Sequence, residues 1–308
     1  KSRYHVVEDD SDFDYLVATP WFYVNREAFY DFLERTPGHI TVMYGCHEAI
    51  APDFMLFDYY IGLDTVPGSD RTVKLPYLRH HLQEVHGGKE GLDAHALLAS
   101  KTGFCNFIYA NRKSHPNRDA MFHKLSAFRF VNSLGPHLNN TPGDGHRAED
   151  WYASSIRMKK PYKFSIAFEN AWYPGYTSEK IVTSMLAGTI PIYWGNPDIS
   201  REFNSASFIN CHDFPTLDAA AAYVQKVDED DSLWCEIMSR PWKTPEQEAR
   251  FLEETERETA KLYKIFDQSP EEARRKGDGT WVSYYQRFLK RGHRMQLAWR
   301  RLKNRLRR

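Results

Sequence analysis

Residues 164–181, FSIAFENAWYPGYTSEKI, contain the stretch that decides the fold. The apolar run at 164–168 predicts a buried β-strand, because short continuous apolar runs are typical of parallel sheets that are covered on both faces. Glu169 and Asn170 follow this run directly, and the Pro-Gly pair at 174–175 then turns the chain. The stretch therefore predicts a strand with polar side chains at its carboxyl end.

The sequence after this turn predicts a helix and a second strand. Thr177 or Ser178 can cap a helix over residues 179–187, and Gly188 ends that helix as its C′ residue. The apolar run at 190–194 begins at once and predicts a strand. A strand, a helix and a strand in immediate succession indicate two parallel strands joined by a crossover helix.

The same alternation continues along the chain. Strand-like runs lie at 15–19, 39–44 and 59–62 in a first unit and at 104–109, 164–168, 190–194 and 208–210 in a second, while helical periods cover 119–128, 179–187, 217–227 and 245–266. Thr244, Pro245 and Gln247 supply the start signal of the last helix. This alternation predicts an α/β fold with parallel sheets covered on both faces. Two such Rossmann-like units place a ligand at the carboxyl ends of their strands, in the cleft between them.

Residues 82–100 have few apolar anchors and a Gly pair at 87–88, so we expect the boundary between the units there. We therefore predict domains at residues 1–99 and 100–266 and a helical tail at 267–308.

Charge is divided unevenly along the chain, although 41 Lys and Arg balance 41 Asp and Glu. Ten of the basic residues and none of the acidic ones lie in residues 287–308, which leaves 31 basic against 41 acidic residues in the rest. An acidic body argues against nucleic-acid binding, whose affinity comes mainly from basic residues on phosphates. We expect no nucleic-acid partner.

The cysteines Cys46, Cys105, Cys211 and Cys235 form no C-x-x-C pair. A chain of this length does not need disulfides for stability, so we expect reduced thiols in a cytoplasmic protein. We find neither a signal peptide nor an apolar run of about 18 residues that could span a membrane.

Lys180 stands in the first turn of a predicted helix, where a cation opposes the helix dipole. One explanation is that the neighbouring Glu179 offsets its charge. The other is that an anion binds at this helix N-terminus, held by free backbone N–H groups and by Lys180. Spacing alone leaves the two readings even.

Arg118 repeats this pattern, since the loop at 111–118 follows one strand and opens the helix at Asp119. It is either part of a solvated basic loop or a second phosphate ligand. The two loops together favour a diphosphate site. Neither Walker A nor G-x-G-x-x-G is present, so side chains and helix ends would bind the phosphates in place of a glycine-rich loop.

Glu48 follows the predicted strand at 39–44, and the pair His47-Glu48 is no zinc-protease motif because Ala51 stands where the second His would be. A glutamate at this place is either solvated, a helix cap or, in an interdomain cleft, a general base. The D-x-D spacing at 12–14 lies in an acidic stretch, and we interpret it as solvated. His80 and His81 have no partner at metal-ligand spacing.

The basic tail carries one apolar stripe at helical spacing, formed by Phe288, Gly292, Met295, Trp299, Leu302 and Leu306. A basic amphipathic helix with this stripe is typical of association with an anionic membrane surface. The alternatives are packing on the acidic body and an oligomer interface. We predict peripheral membrane association through residues 287–308.

Several strings in this sequence resemble those of the α1,3/1,4-fucosyltransferases, especially the soluble bacterial ones. They are PDFMLFDY at 52–59, NRD at 117–119, FEN at 168–170, YTSEK at 176–180, IPIYWG at 190–195, FN at 203–204 and SFIN at 207–210. The resemblance runs from about residue 41 to 214, with a gap around 82–100. It implies a GT-B arrangement of two facing Rossmann-like domains, the N-terminal one binding the acceptor and the C-terminal one binding GDP-fucose.

The resemblance also implies roles for six residues. Arg118 and Lys180 match the family's pyrophosphate-binding cations, Glu179 matches its ribose ligand, and Asn170 and Tyr176 match donor-site residues near the phosphates and fucose. Glu48 lies where the family has its catalytic carboxylate. The chain departs from the family at His47, where Gly is common, and at Ala171 and Trp172, where Ser or Thr is usual, which leaves the acceptor open.

These features predict an inverting α1,3-fucosyltransferase with Glu48 as general base and no essential metal, because Arg118 and Lys180 stabilise the departing GDP. The acceptor would be a glycan that contains N-acetylglucosamine, with α1,4 linkage as an open alternative. Two other functions stay possible at this point. One is a GT-B transferase for another nucleotide sugar, and the other is a non-catalytic nucleotide- or glycan-binding protein.

Overall fold

The computed structural model describes residues 4–7, 13–21, 32, 38–45, 48–63, 66, 68–75, 91–142, 150–277 and 279–305. The chain divides into two compact units, Lys1–Leu75 with Glu256–Arg308, and Pro76–Thr255. Each unit contains one sheet, and every strand pairing among the described residues is parallel. The prediction of an α/β fold with parallel sheets is confirmed.

The helices and strands that the sequence pattern predicted lie within a few residues of their predicted bounds. In chain order the elements of the described residues are β1 Tyr15–Ala18, β2 Ile40–Tyr44, β3 Tyr59–Gly62, β4 Thr72–Lys74, α1 Ala94–Ala99, β5 Gly103–Phe107, α2 Asn117–Phe128, β6 Val131–Ser133, α3 Trp151–Lys159, β7 Tyr162–Phe168, α4 Glu179–Leu186, β8 Ile190–Trp194, β9 Ile209–Asn210, α5 Leu217–Glu229, α6 Asp231–Ser239, α7 Pro245–Phe266, α8 Pro270–Ala273 and α9 Thr280–Arg305. The sequence pattern did not predict β4, β6, α1, α3, α6 or α8. Most of these elements are short, and a short element carries little periodic signal.

The sheet of the first unit has the order β1-β2-β3-β4. Successive residues of β2 point to opposite faces, so Met43 packs in one buried cluster with Phe57 and Tyr60, whereas Ile40 and Val42 pack in another. Both faces of this sheet are therefore buried, as expected for parallel strands.

Residues 256–308 belong to the first unit, although we expected boundaries at 99 and 266 and a separate tail. The carboxylate of Asp58 explains much of this arrangement, since it accepts N–H bonds from Thr41 at 2.8 Å, Arg275 at 2.9 Å and Lys276 at 2.6 Å. Burial alone would raise the pKa of Asp58, but these hydrogen bonds together lower it. The segment after α7 is thus fastened to the first sheet by a buried, ionised carboxylate.

The sheet of the second unit has the order β6-β5-β7-β8-β9. The chain leaves β5 towards one edge, to form β6, and then returns to the other side for β7, β8 and β9. The order of strands therefore reverses between β5 and β7. In open α/β sheets the crevice outside the carboxyl ends of strands at such a switch point is where ligands bind.

Local signals position the helices of this unit. Gly188 has φ +66° and donates its N–H to the carbonyl of Met185, so it ends α4 as the predicted C′ residue. The backbone N–H of Thr244 donates to the Gln247 side chain at 2.8 Å, and its hydroxyl accepts from the Gln247 N–H at 3.3 Å. The predicted capping box of α7 is confirmed.

Candidate active site

The loops after β5 and β7 bring the predicted donor-site residues together at the switch point. Nη1 of Arg118 donates to Oδ1 of Asn170 at 3.3 Å, and Nδ2 of Asn170 lies 3.5 Å from the Tyr176 hydroxyl. Lys180 and Glu179 open α4 next to them, with 3.8 Å between Nζ and Oε1. Tyr176 stands three residues before Glu179, in the loop between β7 and α4.

Arg118 is the first residue of this cluster in the chain, and its side chain is completely buried. Its guanidinium lies over the ring of Tyr109 at 4.2 Å and donates to the backbone carbonyl of Asn111. Nε lies 3.8 Å from Asp119, beyond hydrogen-bond distance, and has no hydrogen-bond partner in the described part of the chain. Arg118 is thus held rigidly in place while one of its buried N–H groups stays unsatisfied.

Lys180 has a closer counter-ion than the sequence indicated. Its Nζ lies 3.0 Å from Oε2 of Glu169, compared with 3.8 Å to Glu179, so Glu179 is not the whole explanation for a cation at this position. Burial alone would lower the pKa of Lys180, but the carboxylates of Glu169 and Glu179 raise it well above the usual value. The lysine is therefore a permanent cation at the start of α4.

Glu169 is completely buried at the carboxyl end of β7 and accepts three hydrogen bonds. The backbone N–H of Ser178 donates to Oε1 at 2.7 Å, and the Ser178 hydroxyl and Lys180 Nζ donate to Oε2 at 2.7 and 3.0 Å. Ser178 stands at the predicted N-cap position, but its hydroxyl is used for Glu169 and Lys180 rather than for the helix. Glu169 therefore ties the end of β7 to the first turn of α4.

Gly195 makes room for this carboxylate at the end of β8. Its φ is +152°, and a Cβ placed there would lie 2.5 Å from both Cβ and Cγ of Glu169. Any larger residue would overlap the Glu169 side chain. The last position of the string IPIYWG thus requires glycine, because a side chain there would overlap Glu169.

Glu179 is largely buried beside Lys180, with 24% of its side chain exposed. Burial alone would raise its pKa, but the ammonium groups of Lys180 and Lys159 lower it. The carboxylate is therefore ionised and can accept hydrogen bonds from hydroxyl groups of a ligand, such as those of a ribose.

Glu48 lies in the first unit, in the loop after β2. Its backbone N–H donates to the carbonyl of Gly45 at 2.9 Å, and its own carbonyl accepts from Ile50 at 2.9 Å. The side chain is partly exposed, and no described residue pairs with its carboxylate. The turn thus fixes the backbone of Glu48 and leaves its carboxylate without a described partner.

Other candidates from the sequence stay outside the cluster. Asp12, His47, His80, His81 and Cys46 lie outside the described residues, and Asp14 is exposed at the start of β1. Cys105, Cys211 and Cys235 are free and buried. Within the described ranges, no three His, Cys, Asp or Glu side chains converge as metal ligands.

Among the described residues, the predicted helical tail at 267–308 contains α8 and α9, and its basic stretch begins at Arg287 within α9. Tyr285 and Leu289 of this helix pack on the buried cluster around Met43, and the Tyr285 hydroxyl donates to Asp53 at 3.0 Å. The predicted stripe lies elsewhere on the helix, with exposures of 71% for Phe288, 69% for Met295, 67% for Trp299 and 48% for Leu302. Leu306 lies outside the described residues. No helix in the described part of the chain is long and apolar enough to cross a membrane.

The sequence predicted Glu169 at the carboxyl end of a strand without giving it a role in the site, and it did not indicate Lys159 at all. Glu169 follows an apolar strand in the same string as Asn170, and a charged residue next to a buried strand is the signal that could have identified it. The Lys159 side chain is buried under the first turns of α4, but it lies twenty residues earlier in the chain than Glu179, and no local pattern connects the two.

Comparisons with known proteins find one family for most of the second unit. Residues 98–274 match the family model of glycosyltransferase family 10 (fucosyltransferase), C-terminal part. The α-(1,3)-fucosyltransferase FucT of Helicobacter pylori is 29% identical over 238 residues, which are 67% of this chain and 48% of that protein. The chain thus spans about half the length of this curated relative.

Solved structures show the same fold. A crystal structure of an α1,3-fucosyltransferase has a TM-score of 0.60 and 25% identity, covering 76% of this chain and 72% of that one. A second, of an α1,3-fucosyltransferase with GDP-fucose, has a TM-score of 0.58 and 23% identity, covering 79% and 86% of the two chains.

Proposed function

Because this chain belongs to glycosyltransferase family 10, the fucosyltransferases, we propose that it transfers L-fucose from GDP-fucose to a glycan hydroxyl. More specifically, we propose an inverting α1,3-transfer to an acceptor that contains N-acetylglucosamine. The observation that carries the proposal is the cluster of Arg118, Asn170, Tyr176, Glu179 and Lys180 at the switch point of the second sheet. The cluster supplies two cations and an ionised carboxylate where a nucleoside diphosphate would bind.

The second unit would act on the leaving group. As the bond between fucose C1 and the diphosphate oxygen breaks, negative charge grows on the diphosphate. Arg118, Lys180 and the backbone N–H groups at the start of α4 are donors held in position before the reaction, so they would stabilise this charge without large reorganisation. In this proposal the two protein cations neutralise the leaving GDP, and no divalent metal is required.

The loop after β2 would supply the general base. An acceptor hydroxyl attacks fucose C1 from the face opposite GDP, and the Glu48 carboxylate takes the proton of that hydroxyl as the new glycosidic bond forms. Attack from the opposite face inverts the configuration at C1. The absence of a described partner for this carboxylate supports the role, because a base must be free to accept a proton.

One assay tests donor, acceptor and linkage together. The protein is incubated with GDP-fucose, GDP-mannose, UDP-galactose and UDP-glucose, each with a panel of N-acetyllactosamine, other β-galactosides and N-glycan core oligosaccharides. We expect product with GDP-fucose alone, and linkage mapping should find fucose α1,3-linked to N-acetylglucosamine. Product with another donor favours a different GT-B transferase, and GDP-fucose binding without product from any acceptor favours a binding protein.

We also propose that the protein associates with the cytoplasmic face of an anionic membrane through residues 287–308. The exposed side chains of Phe288, Met295, Trp299 and Leu302, among ten basic residues, support this. The test is co-sedimentation with vesicles of phosphatidylcholine that contain or lack phosphatidylserine. A chain ended after Lys290 keeps the packed Leu289; we expect it to remain in the supernatant while the full chain sediments with anionic vesicles.

The membrane proposal would be contradicted if the two chains sedimented equally with anionic vesicles. It would also be contradicted if the full chain bound neutral vesicles but not anionic ones. Activity on soluble acceptors should be the same for both chains, because the truncation spares both sheets.

A further inference from the structure

Lys159, the last residue of α3, has a buried ammonium group directly under the first turns of α4. The residue is 5% exposed. Its Nζ donates to the Thr183 hydroxyl at 2.6 Å and the Ser184 hydroxyl at 3.2 Å, and lies 3.5 Å from the carbonyl of Lys180. No described carboxylate lies within ion-pair distance of it. Lys159 is therefore a buried cation without a described paired anion.

The two hydroxyls connect Lys159 to the backbone of the donor cluster. Because the ammonium can only donate, each hydroxyl accepts from it and directs its own proton elsewhere. Thr183 donates to the carbonyl of Glu179 at 2.9 Å, and Ser184 donates to the carbonyl of Lys180 at 2.7 Å. Lys159 thus reaches the backbone of Glu179 through one hydroxyl, and that of Lys180 both through one hydroxyl and directly at 3.5 Å.

Charged groups of both signs face Lys159. Burial lowers its pKa to about 7, with Lys180 acting in the same direction and Glu179 and Glu169 opposing it. The ammonium and the neutral amine are therefore both populated near neutral pH. An anion that binds at the start of α4 favours the ammonium form, since an opposite charge nearby raises the pKa of a lysine.

We propose that Lys159 is a positioning residue of the donor site, a third cation that stabilises the first turn of α4 and takes up a proton when the donor diphosphate binds. The inference rests on the proposed function, because it needs a diphosphate at this helix. Lys159 itself does not touch the donor; it acts through Thr183 and Ser184 and through its charge. A purely structural lysine would not couple ligand binding to proton uptake.

The test is calorimetric titration of the whole chain with GDP-fucose in two buffers of different ionisation enthalpy, between pH 6 and 8.5. The diphosphate of GDP-fucose is a diester that does not titrate in this range, so protons taken up on binding come to the protein. We expect an uptake of a fraction of a proton near pH 7.5. If binding raises the lysine pKa by about one unit, affinity falls up to about tenfold across the range.

Lys159→Met should abolish the uptake and leave an affinity that is low and independent of pH. Lys160→Met, which removes the neighbouring exposed cation, is the matched control and should behave as the wild type. Thr183→Val keeps the volume but removes the hydroxyl, so the uptake should move to lower pH. This variant and the wild type decide the question even if Lys159→Met does not fold.

Two failures can be distinguished. Tight GDP-fucose binding by the wild type without proton uptake, or unchanged uptake in Lys159→Met, overturns the role of Lys159 and leaves the proposed function intact. No binding of GDP-fucose by the wild type overturns both.

Discussion

Glu48 and Glu169 occupy comparable places in the two units, since each follows a parallel strand at its carboxyl end, β2 and β7 respectively. Glu169 is completely buried and accepts three hydrogen bonds, one of them from the Lys180 cation. Glu48 is partly exposed, and its carboxylate has no described partner. Two glutamates that each follow a parallel strand are thus held by three hydrogen bonds in one unit and left without a described partner in the other.

The difference shows that the groups around a carboxylate decide its role. Burial raises the pKa of Glu169, and the Lys180 cation and the hydrogen bonds from Ser178 oppose that rise, so this carboxylate serves as a structural counter-ion. A carboxylate without such donors can take a proton from a substrate. The donor-site cations are therefore held in place before any ligand binds. The carboxylate of the proposed base stays available to accept the proton of the acceptor hydroxyl.

The largest effect should come from removing the proposed base. Glu48→Gln keeps the shape but cannot accept a proton, so we expect kcat to fall by roughly 10²- to 10⁴-fold. Binding of GDP-fucose should be unchanged, because the donor cluster lies in the second unit. Steady-state rates and calorimetric titration measure the two quantities, with the exposed Glu236→Gln as control. Unchanged turnover would show that Glu48 is not the base, and the proposed difference in role between Glu48 and Glu169 would be wrong.

Glu169→Gln should affect stability where Glu48→Gln does not. The substitution leaves the largely buried Lys180 without its nearest carboxylate, and breaking a buried ion pair from one side costs about 3–5 kcal/mol. Urea denaturation measures the loss in free energy of unfolding. The double variant Glu169→Gln, Lys180→Met should recover part of it, because it removes the unpaired charge. Equal stability of Glu169→Gln and Glu48→Gln would mean that the two carboxylates do not differ as described.

Lys180→Ala separates the ligand role of the cluster from its structural role. Losing one charge-assisted hydrogen bond should weaken GDP binding by about 1.5–3 kcal/mol. The exposed Lys113→Ala in the loop before α2 is the control and should retain affinity. Normal GDP affinity in Lys180→Ala, measured on folded protein, would leave Lys180 as a partner of Glu169 only.

The smallest expected change is at Gly195. Gly195→Ala places a Cβ against the Glu169 side chain and should destabilise the protein by about 1–3 kcal/mol. Donor affinity should fall with it, since Glu169 would shift away from Ser178 and Lys180. Thermal unfolding and GDP titration report the two effects. Gly279→Ala, whose Cβ would meet no atom within 4 Å, is the matched control.

The sequence by itself determined the regular elements that have a strong local period. Helix α7 begins and ends at the predicted residues, and β3 and β8 also have their predicted bounds, because apolar periodicity and capping are properties of neighbouring residues. The strings shared with the family are also local features of the sequence. They indicated five residues that the fold brings to one switch point.

Only the tertiary structure decided which groups pair across the chain. Asp58 fastens Arg275 and Lys276, which are 217 and 218 residues away, so the C-terminal segment joins the first unit rather than forming a tail of its own. Lys180 pairs most closely with Glu169 and not with its neighbour Glu179, and Lys159 reaches the same helix from α3. Partners of buried charges are chosen by the packing of distant elements, and local sequence patterns carry no record of that packing.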